Sequence, residues 1–266
     1  MAKVLAMLRA GWLTAVSYRV NMVASVVALL VTLVPVYFVG NALQPFMAGR
    51  ISTEGAQFFG FLVVGIAAHL FISTGASAPA TTLATAVSTG TWEAFLTTPT
   101  RLTTLLAGMN AYSLAWTGLK ALVVLAAGWL LGAHVVWARA LPSAAILLLT
   151  VFAHVPFGIA AGALTLAFRT TAGIPEGVVL VSALLGGVYY PTHVIPTWIQ
   201  HVSAVLPLTY GLRALRRVLL EGLPLSAVLG DVTILAAMTA VLLAGSAVAF
   251  AAALRYARRT GTLAQY

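Results

Sequence analysis

Apolar positions in this chain neither alternate with polar ones nor keep to a single helical stripe. They run on uninterrupted, at roughly Asn21–Leu43, Phe58–Ala80, Thr103–Leu131, Leu141–Phe168, Ile174–Tyr190 and Asp231–Tyr256. Crossing the hydrocarbon of a bilayer takes about 20 mostly apolar residues in a helix, whose backbone polar groups are satisfied within the segment. The pattern therefore predicts an all-α integral membrane protein with six transmembrane helices in one domain, 1–266. The fifth run is short, carries Gly186 and Gly187 and stops at Pro191. Those are features of a broken or re-entrant element, which membrane depth tolerates only against protein or a water-filled cavity. The first run exceeds a signal-peptide core and no small-residue cleavage site follows it, so the N-terminus is expected to be retained.

The stretches between the runs predict three further elements. Over residues 1–20, Val4, Leu5, Leu8, Trp12, Ala15 and Val16 recur at helical spacing, with Lys3, Arg9, Thr14 and Ser17 on the rest. This is an interfacial amphipathic helix or, on the second reading, an extended start of the first span. Residues 88–100, STGTWEAFLTTPT, predict a short helix N-capped by Thr91, with Glu93 in its first turn and Pro99 at its end. The segment 191–230 is punctuated by Pro191, Pro196, Pro207 and Pro224. Within it Leu208, Leu212, Leu215 and Leu219 share one helical face and Gly222 suits a C-terminal cap. Arg213, Arg216 and Arg217 fall on the other face. Three like charges at this spacing repel unless solvent, lipid phosphate or Glu221 offsets them, so they are expected to meet headgroups or an anionic substrate.

Composition reinforces the membrane reading. The 266 residues are 61% hydrophobic and 7% charged, where a soluble domain carries about a quarter charged residues. The net charge is +9 with only five acidic residues. The basic residues stand singly between apolar runs, which argues against a nucleic-acid partner and fits the cytoplasmic bias of membrane proteins. Six spans would put Lys3, Arg9, Arg19, Arg101, Arg169, Arg255, Arg258 and Arg259 on one side. Arg50, Arg139, Arg213, Arg216 and Arg217 would face the other. Long segments translocate largely regardless of charge. With 191–230 set aside the balance is eight against two, which predicts both termini in the cytoplasm of a multi-pass protein of the plasma or inner membrane.

Candidate chemistry is sparse. With no cysteine, thiol nucleophiles and cysteine-based zinc sites are excluded. A P-loop needs Gly-Lys followed by Ser or Thr; the only lysines, Lys3 and Lys120, precede Val4 and Ala121. No HExxH pair, no GxSxG elbow and no paired carboxylates within a span occur. His69 and His154 fall inside predicted spans, where ionisable residues are functional candidates. One of them paired with Ser73 or Ser77 would make an intramembrane hydrolase; hydrogen bonding between helices by a neutral histidine is the other reading. Glu176 and Asp231 lie at span ends, which argues against proton-driven transport. Lys120 lies inside the third run and either snorkels outward, lines an internal pathway or pairs with a polar neighbour.

Two stretches resemble the permease subunits of type-2 ATP-binding-cassette (ABC) exporters. GTWEAFLTTPTRLTTLLAG, Gly90–Gly108, is similar to that family's signature after the second span, and LPLTYGLRALRRVLLEG, Leu206–Gly222, to its segment before the last span. The second leans toward drug-resistance permeases of the daunorubicin type. The resemblance implies a transport subunit rather than an enzyme. Thr91, Trp92, Glu93, Ala94, Phe95 and Leu96 would form a coupling helix on the face that docks a P-loop ATPase, which carries the ATP and Mg; the chain itself needs no cofactor and no metal. The segment 191–230 would form re-entrant external helices. A second permease subunit, identical or different, would complete the pathway for an amphipathic substrate: a drug or antibiotic, a lipid or a lipid-linked glycan. Tyr189, Tyr190 and Trp198 would line the exit or form an interfacial belt.

Overall fold

A computed structural model describes residues 2–91, 102–168 and 173–260. Among these, nine α-helices follow in chain order: α1 (Ala2–Ser17), α2 (Arg19–Met47), α3 (Phe58–Ser88), α4 (Leu102–Leu130), α5 (Ala140–Phe168), α6 (Ile174–Leu185), α7 (Thr197–Ser203), α8 (Pro207–Leu219) and α9 (Leu229–Thr260). Helices α2, α3, α4, α5 and α9 are long and apolar enough to cross a membrane. The expected fifth span is shorter than Ile174–Tyr190: α6 has twelve residues, a rise of about 18 Å against roughly 30 Å of hydrocarbon. It ends at Gly186, and Gly187, at φ +91°, turns the chain in a way a side chain would resist. The described residues thus hold five long spans and one short apolar helix rather than six equal ones.

The first helix is a separate element. Tyr18, at φ −104° and ψ 54°, breaks it from α2. Gly11 rests on Tyr112 and Met7 on Gly108 of α4, and Trp12 meets Tyr112 and Trp116 edge-on. The packed face keeps Val4, Leu8, Ala15 and Val16 of the expected set and adds Met7 and Gly11, which allow the closer approach, while Leu5 is exposed.

The core is built around α3, the most buried of the long helices. Small residues bring α5 against it. Gly75 packs beneath the Val151 carbonyl, Gly158 against Ala76 and Pro79, and Gly162 against Leu83. Where lipid tails are as apolar as leucine, such small-residue contacts supply packing that a hydrophobic driving force cannot. On its α4 side, Thr74 and Thr117 share a hydrogen bond of 2.7 Å and Thr82 donates to Asn110 at 3.3 Å. The remaining long helices, α2 and α9, leave most of their surface outward.

At the end of the bundle where α2 meets α3, three loops are tied together. Gln44 brackets the first loop, donating to the Ala56 carbonyl at 2.8 Å and accepting from the Phe58 amide at 2.6 Å. Gln57 does the same to the α4–α5 connection through Gly132 and His134, each at 2.8 Å. Glu221 accepts from the Gly55 amide at 3.0 Å, and Arg139 donates to the Gly222 carbonyl at 2.9 Å. Through the middle runs Arg216 of α8, about 1% exposed. It pairs with Glu54 at 3.0 Å, donates to the carbonyls of Phe61 and Val188 at 3.1–3.3 Å, and lays its guanidinium on the Phe61 ring. Gly65 makes room, since a Cβ there would meet the Val188 carbonyl and the guanidinium.

A buried charge loses its hydration and is retained only when fully partnered. Burial pulls the Arg216 pKa down to about 10, against the raising effect of the Glu54 charge, and at neutral pH the group stays charged. Glu54→Ala, which strands that charge, is expected to cost about 3–5 kcal/mol of stability. Glu54→Met with Arg216→Met is expected to cost less than Glu54→Ala alone. Thermal unfolding of the purified variants in mild detergent measures both; equal stability of Glu54→Ala and the parent would show that the pair does not hold the loops together.

Candidate functional site

A helix surrounded by hydrocarbon and protein gains nothing from an unpaired polar side chain, so a polar stripe on the most buried helix marks a surface with another use. Such a stripe lies on α3. His69, Ser73 and Ser77 recur every four residues and therefore share one face. They line a groove of about 370 Å³ whose other wall is α6, through Glu176, Val179, Leu180, Ala183 and Leu184, with Tyr189 at its end. Nδ1 of His69 is buried without a hydrogen-bond partner. Glu176 is exposed in the first turn of α6, beside Pro175, where its charge also complements the helix dipole. The groove therefore offers hydroxyls, one imidazole and one carboxylate along an otherwise apolar wall. Among the described residues, no group of three or more His, Asp or Glu forms that could hold a metal ion.

The cap, meaning α8 and the loops tied together around Arg216, closes one end of this groove. Arg216 holds the carbonyl of Val188 at 3.1 Å, and the next residue is Tyr189. The Tyr190 hydroxyl donates to the Leu184 carbonyl and fastens the same turn to the end of α6. Tyr189 thus lines the groove, whereas Tyr190 serves the turn. Trp198 is 70% exposed.

The three arginines do not share one exposed face. The expected leucine face is present, with Leu208, Leu212, Leu215 and Leu219 all buried. Arg216 is drawn inward by Glu54, while Arg213 pairs with Asp231 at 3.2 Å and Arg217 stays partly exposed. The repulsion that the spacing predicts is relieved by two separate carboxylates, and Glu221 serves a backbone amide instead. The partners of Glu54 and Gln57 lie far along the chain, and those of Gln44 lie across the α2–α3 loop, so residue pattern alone does not reveal any of the three. Their one local signal is polarity in or beside a short loop that follows a long apolar run.

The other candidates separate. His154 is fully buried; its Nδ1–H donates to the Thr150 carbonyl at 2.8 Å, one turn back in its own helix, and Nε2 has no partner. The expected bond between helices is therefore not made by this residue, whose ring lies beside Phe157. Lys120 is half-buried and about 15 Å before the end of α4 by helical rise; it does not line the groove. Of the docking stretch, Thr91 donates to the Ala86 carbonyl at 3.2 Å, completing the end of α3. Trp92, Glu93, Ala94, Phe95 and Leu96 lie outside the described residues.

A family model described as ABC-2 type transporter matches residues 3–220, from α1 to the end of α8. No curated protein matches the chain. With most of its length matched and five long apolar helices, the chain belongs to the ABC-2 type transporter family, as a membrane-spanning component.

Proposed function

We propose that this chain is the permease subunit of an ATP-driven exporter, and that the groove between α3 and α6 is its share of the substrate pathway. The observation that carries the reading is the stripe His69, Ser73 and Ser77 on the most buried helix. Lipid tails cannot satisfy it, whereas an amphipathic substrate with its own polar groups can. Family membership supports transport, and a sequence without a P-loop is consistent with ATP and Mg²⁺ being held by a separate ATPase subunit. One groove open along its side suits half of a pathway, completed by a second permease subunit, identical or different.

In this reading the described termini face the cytoplasm of the plasma or inner membrane. Lys3, Arg9, Arg19 and Arg255 lie toward the end opposite the cap in helix order, in keeping with the cytoplasmic bias of basic residues. The cap with α7 and α8 is then external and re-entrant, and the link from α3 to α4 is cytoplasmic. That link carries Trp92 and Phe95 beside Glu93, the aromatic and charged types that anchor protein interfaces. The substrate class is amphipathic: a drug or antibiotic, a lipid or a lipid-linked glycan. A hydrolase needs its histidine base oriented by a third group; Nδ1 of His69 has none, which favours transport.

The first test is a mild-detergent pull-down of the tagged chain from its native membrane. A P-loop ATPase is expected in near-equal amount, and its absence even after cross-linking would count against the docking reading. Trp92→Ala is expected to weaken that association by about 2 kcal/mol, a rise in Kd of roughly thirtyfold. Glu93→Ala is expected to lower substrate-stimulated ATP hydrolysis in reconstituted vesicles with the fold intact.

A second prediction concerns the groove itself. Ser77→Trp, which fills it, is expected to abolish transport while ATPase binding and thermal stability persist. Transport at the parent rate would remove the groove from the pathway.

A further inference from the structure

Helices α4 and α5 are consecutive and joined by only nine residues, yet they hardly touch; each packs instead on α3. Between them lies a second cleft, of about 570 Å³, which unlike the polar groove has almost wholly apolar walls. Val64, Ala67 and Phe71 of α3 form its floor, and Leu215 and Leu219 of α8 close one end. Leu119, Leu122 and Leu148 at its rim are 43–54% exposed, so it opens sideways, toward lipid. A cleft of this volume is in the range that holds a drug-sized ligand.

One polar atom breaks the apolar lining. Ser143 is 4% exposed, lines the cleft, and its hydroxyl has no hydrogen-bond partner. Hydroxyls within helices ordinarily bond a carbonyl one turn back, as those of Thr150 and Thr239 do here. A buried, unsatisfied hydroxyl costs about 1–3 kcal/mol, and an acceptor entering the cleft would recover it. Near the mouth, Trp129 and Trp137 pack edge-to-face at 6.3 Å, and half-buried Arg139 follows. Tryptophan and a cation at one level are the marks of the membrane–water interface. Ser143 lies one helical turn below Arg139, by about 6 Å of rise. From Leu125 to Leu114 the cleft runs about 16 Å along α4, close to half of the roughly 30 Å hydrocarbon thickness.

We propose that this cleft is a binding site for one acyl chain of a membrane glycerophospholipid. The chain lies between α4 and α5 over one leaflet, an ester carbonyl accepts from the Ser143 hydroxyl, and the headgroup phosphate lies beside Arg139 and Trp137. The site is separate from the substrate groove and does not depend on the transport reading. Because Leu215 and Leu219 flank Arg216 on α8, the bound lipid also buttresses the cap.

The test is photolabelling of the purified full-length chain with phosphatidylcholine carrying a diazirine in its acyl chain, read by peptide mass spectrometry. Labelling per residue is expected to be higher over residues 64–71, 114–125 and 143–148 than over the outward face of α2 (Val27, Val31 and Phe38). Gly118→Leu with Ala144→Leu fills the cleft; at Gly118 a Cβ meets only the tip of Phe71, at 3.7 Å. That variant is expected to bring cleft labelling down to the α2 level, with α2 labelling unchanged. Equal labelling of cleft and α2 in the parent protein overturns the site without recourse to any variant. So does protection of the cleft accompanied by protein–protein cross-links, which would mean that a partner helix fills it.

Discussion

The contact between Arg216 and Glu54 decides how one end of this molecule is put together. A guanidinium taken out of water has to find a counter-charge and acceptors for its donors, and here they come from three places in the chain. Glu54 lies in the α2–α3 loop, Phe61 in the first turns of α3, and Val188 beyond α6. Withdrawing Glu54 would strand the charge, at a cost of several kcal/mol, and withdrawing either carbonyl would leave a buried donor unsatisfied, at about 1–3 kcal/mol. The neutral bonds around it, from Gln44 and Gln57, contribute about 1 kcal/mol each, and the charge-assisted ones from Glu221 and Arg139 about 1.5–3 kcal/mol; they refine loop geometry that the ion pair sets.

That fixed end explains why α3 can carry three different surfaces. Its glycines and alanines admit α5 closely, and its threonines meet hydroxyl and amide partners on α4. The third surface, His69, Ser73 and Ser77, is left without a helix that matches it in polarity. A free helix would rotate to hide such a stripe. Here the small-residue contact with α5 and the Arg216 bond to the Phe61 carbonyl hold its orientation, so the stripe stays turned to the groove.

Much of the architecture was readable from residue pattern because lipid imposes a length rule with few exceptions. The five long helices fall close to their expected runs, and Gly186, Gly187 and Pro191 signalled the shortened α6. The leucine face of α8 was likewise set by local periodicity. What escaped the sequence were pairings across distance. Nothing near Arg216 indicates Glu54, 162 positions earlier, and three arginines at helical spacing read alike until tertiary contacts sort them. The apolar cleft was invisible for the same reason: it arises from two neighbouring helices both preferring α3 to each other. His69 was identifiable as an intramembrane histidine, but its groove depends on where α6 comes to rest.

Groove and cap share a segment of chain, and this limits how the groove can change shape. Val188, held by Arg216, adjoins Tyr189 at the groove's end, so α6 is anchored to α3 at the cap. Its other end, at Glu176, is exposed and has no comparable tie among the described residues. Withdrawing Val188 from the cap disturbs a buried charge, whereas sliding the apolar flank of α6 through lipid exchanges one hydrocarbon surface for another. The less costly motion is a swing of α6 about its capped end, widening the groove near Glu176 and leaving it narrow near Tyr189. Under the proposed function, that free end faces the side on which the ATPase would act. Force applied there would open the groove toward the cytoplasm first, and release at the far end would require the Arg216 contacts to move as a unit with α8.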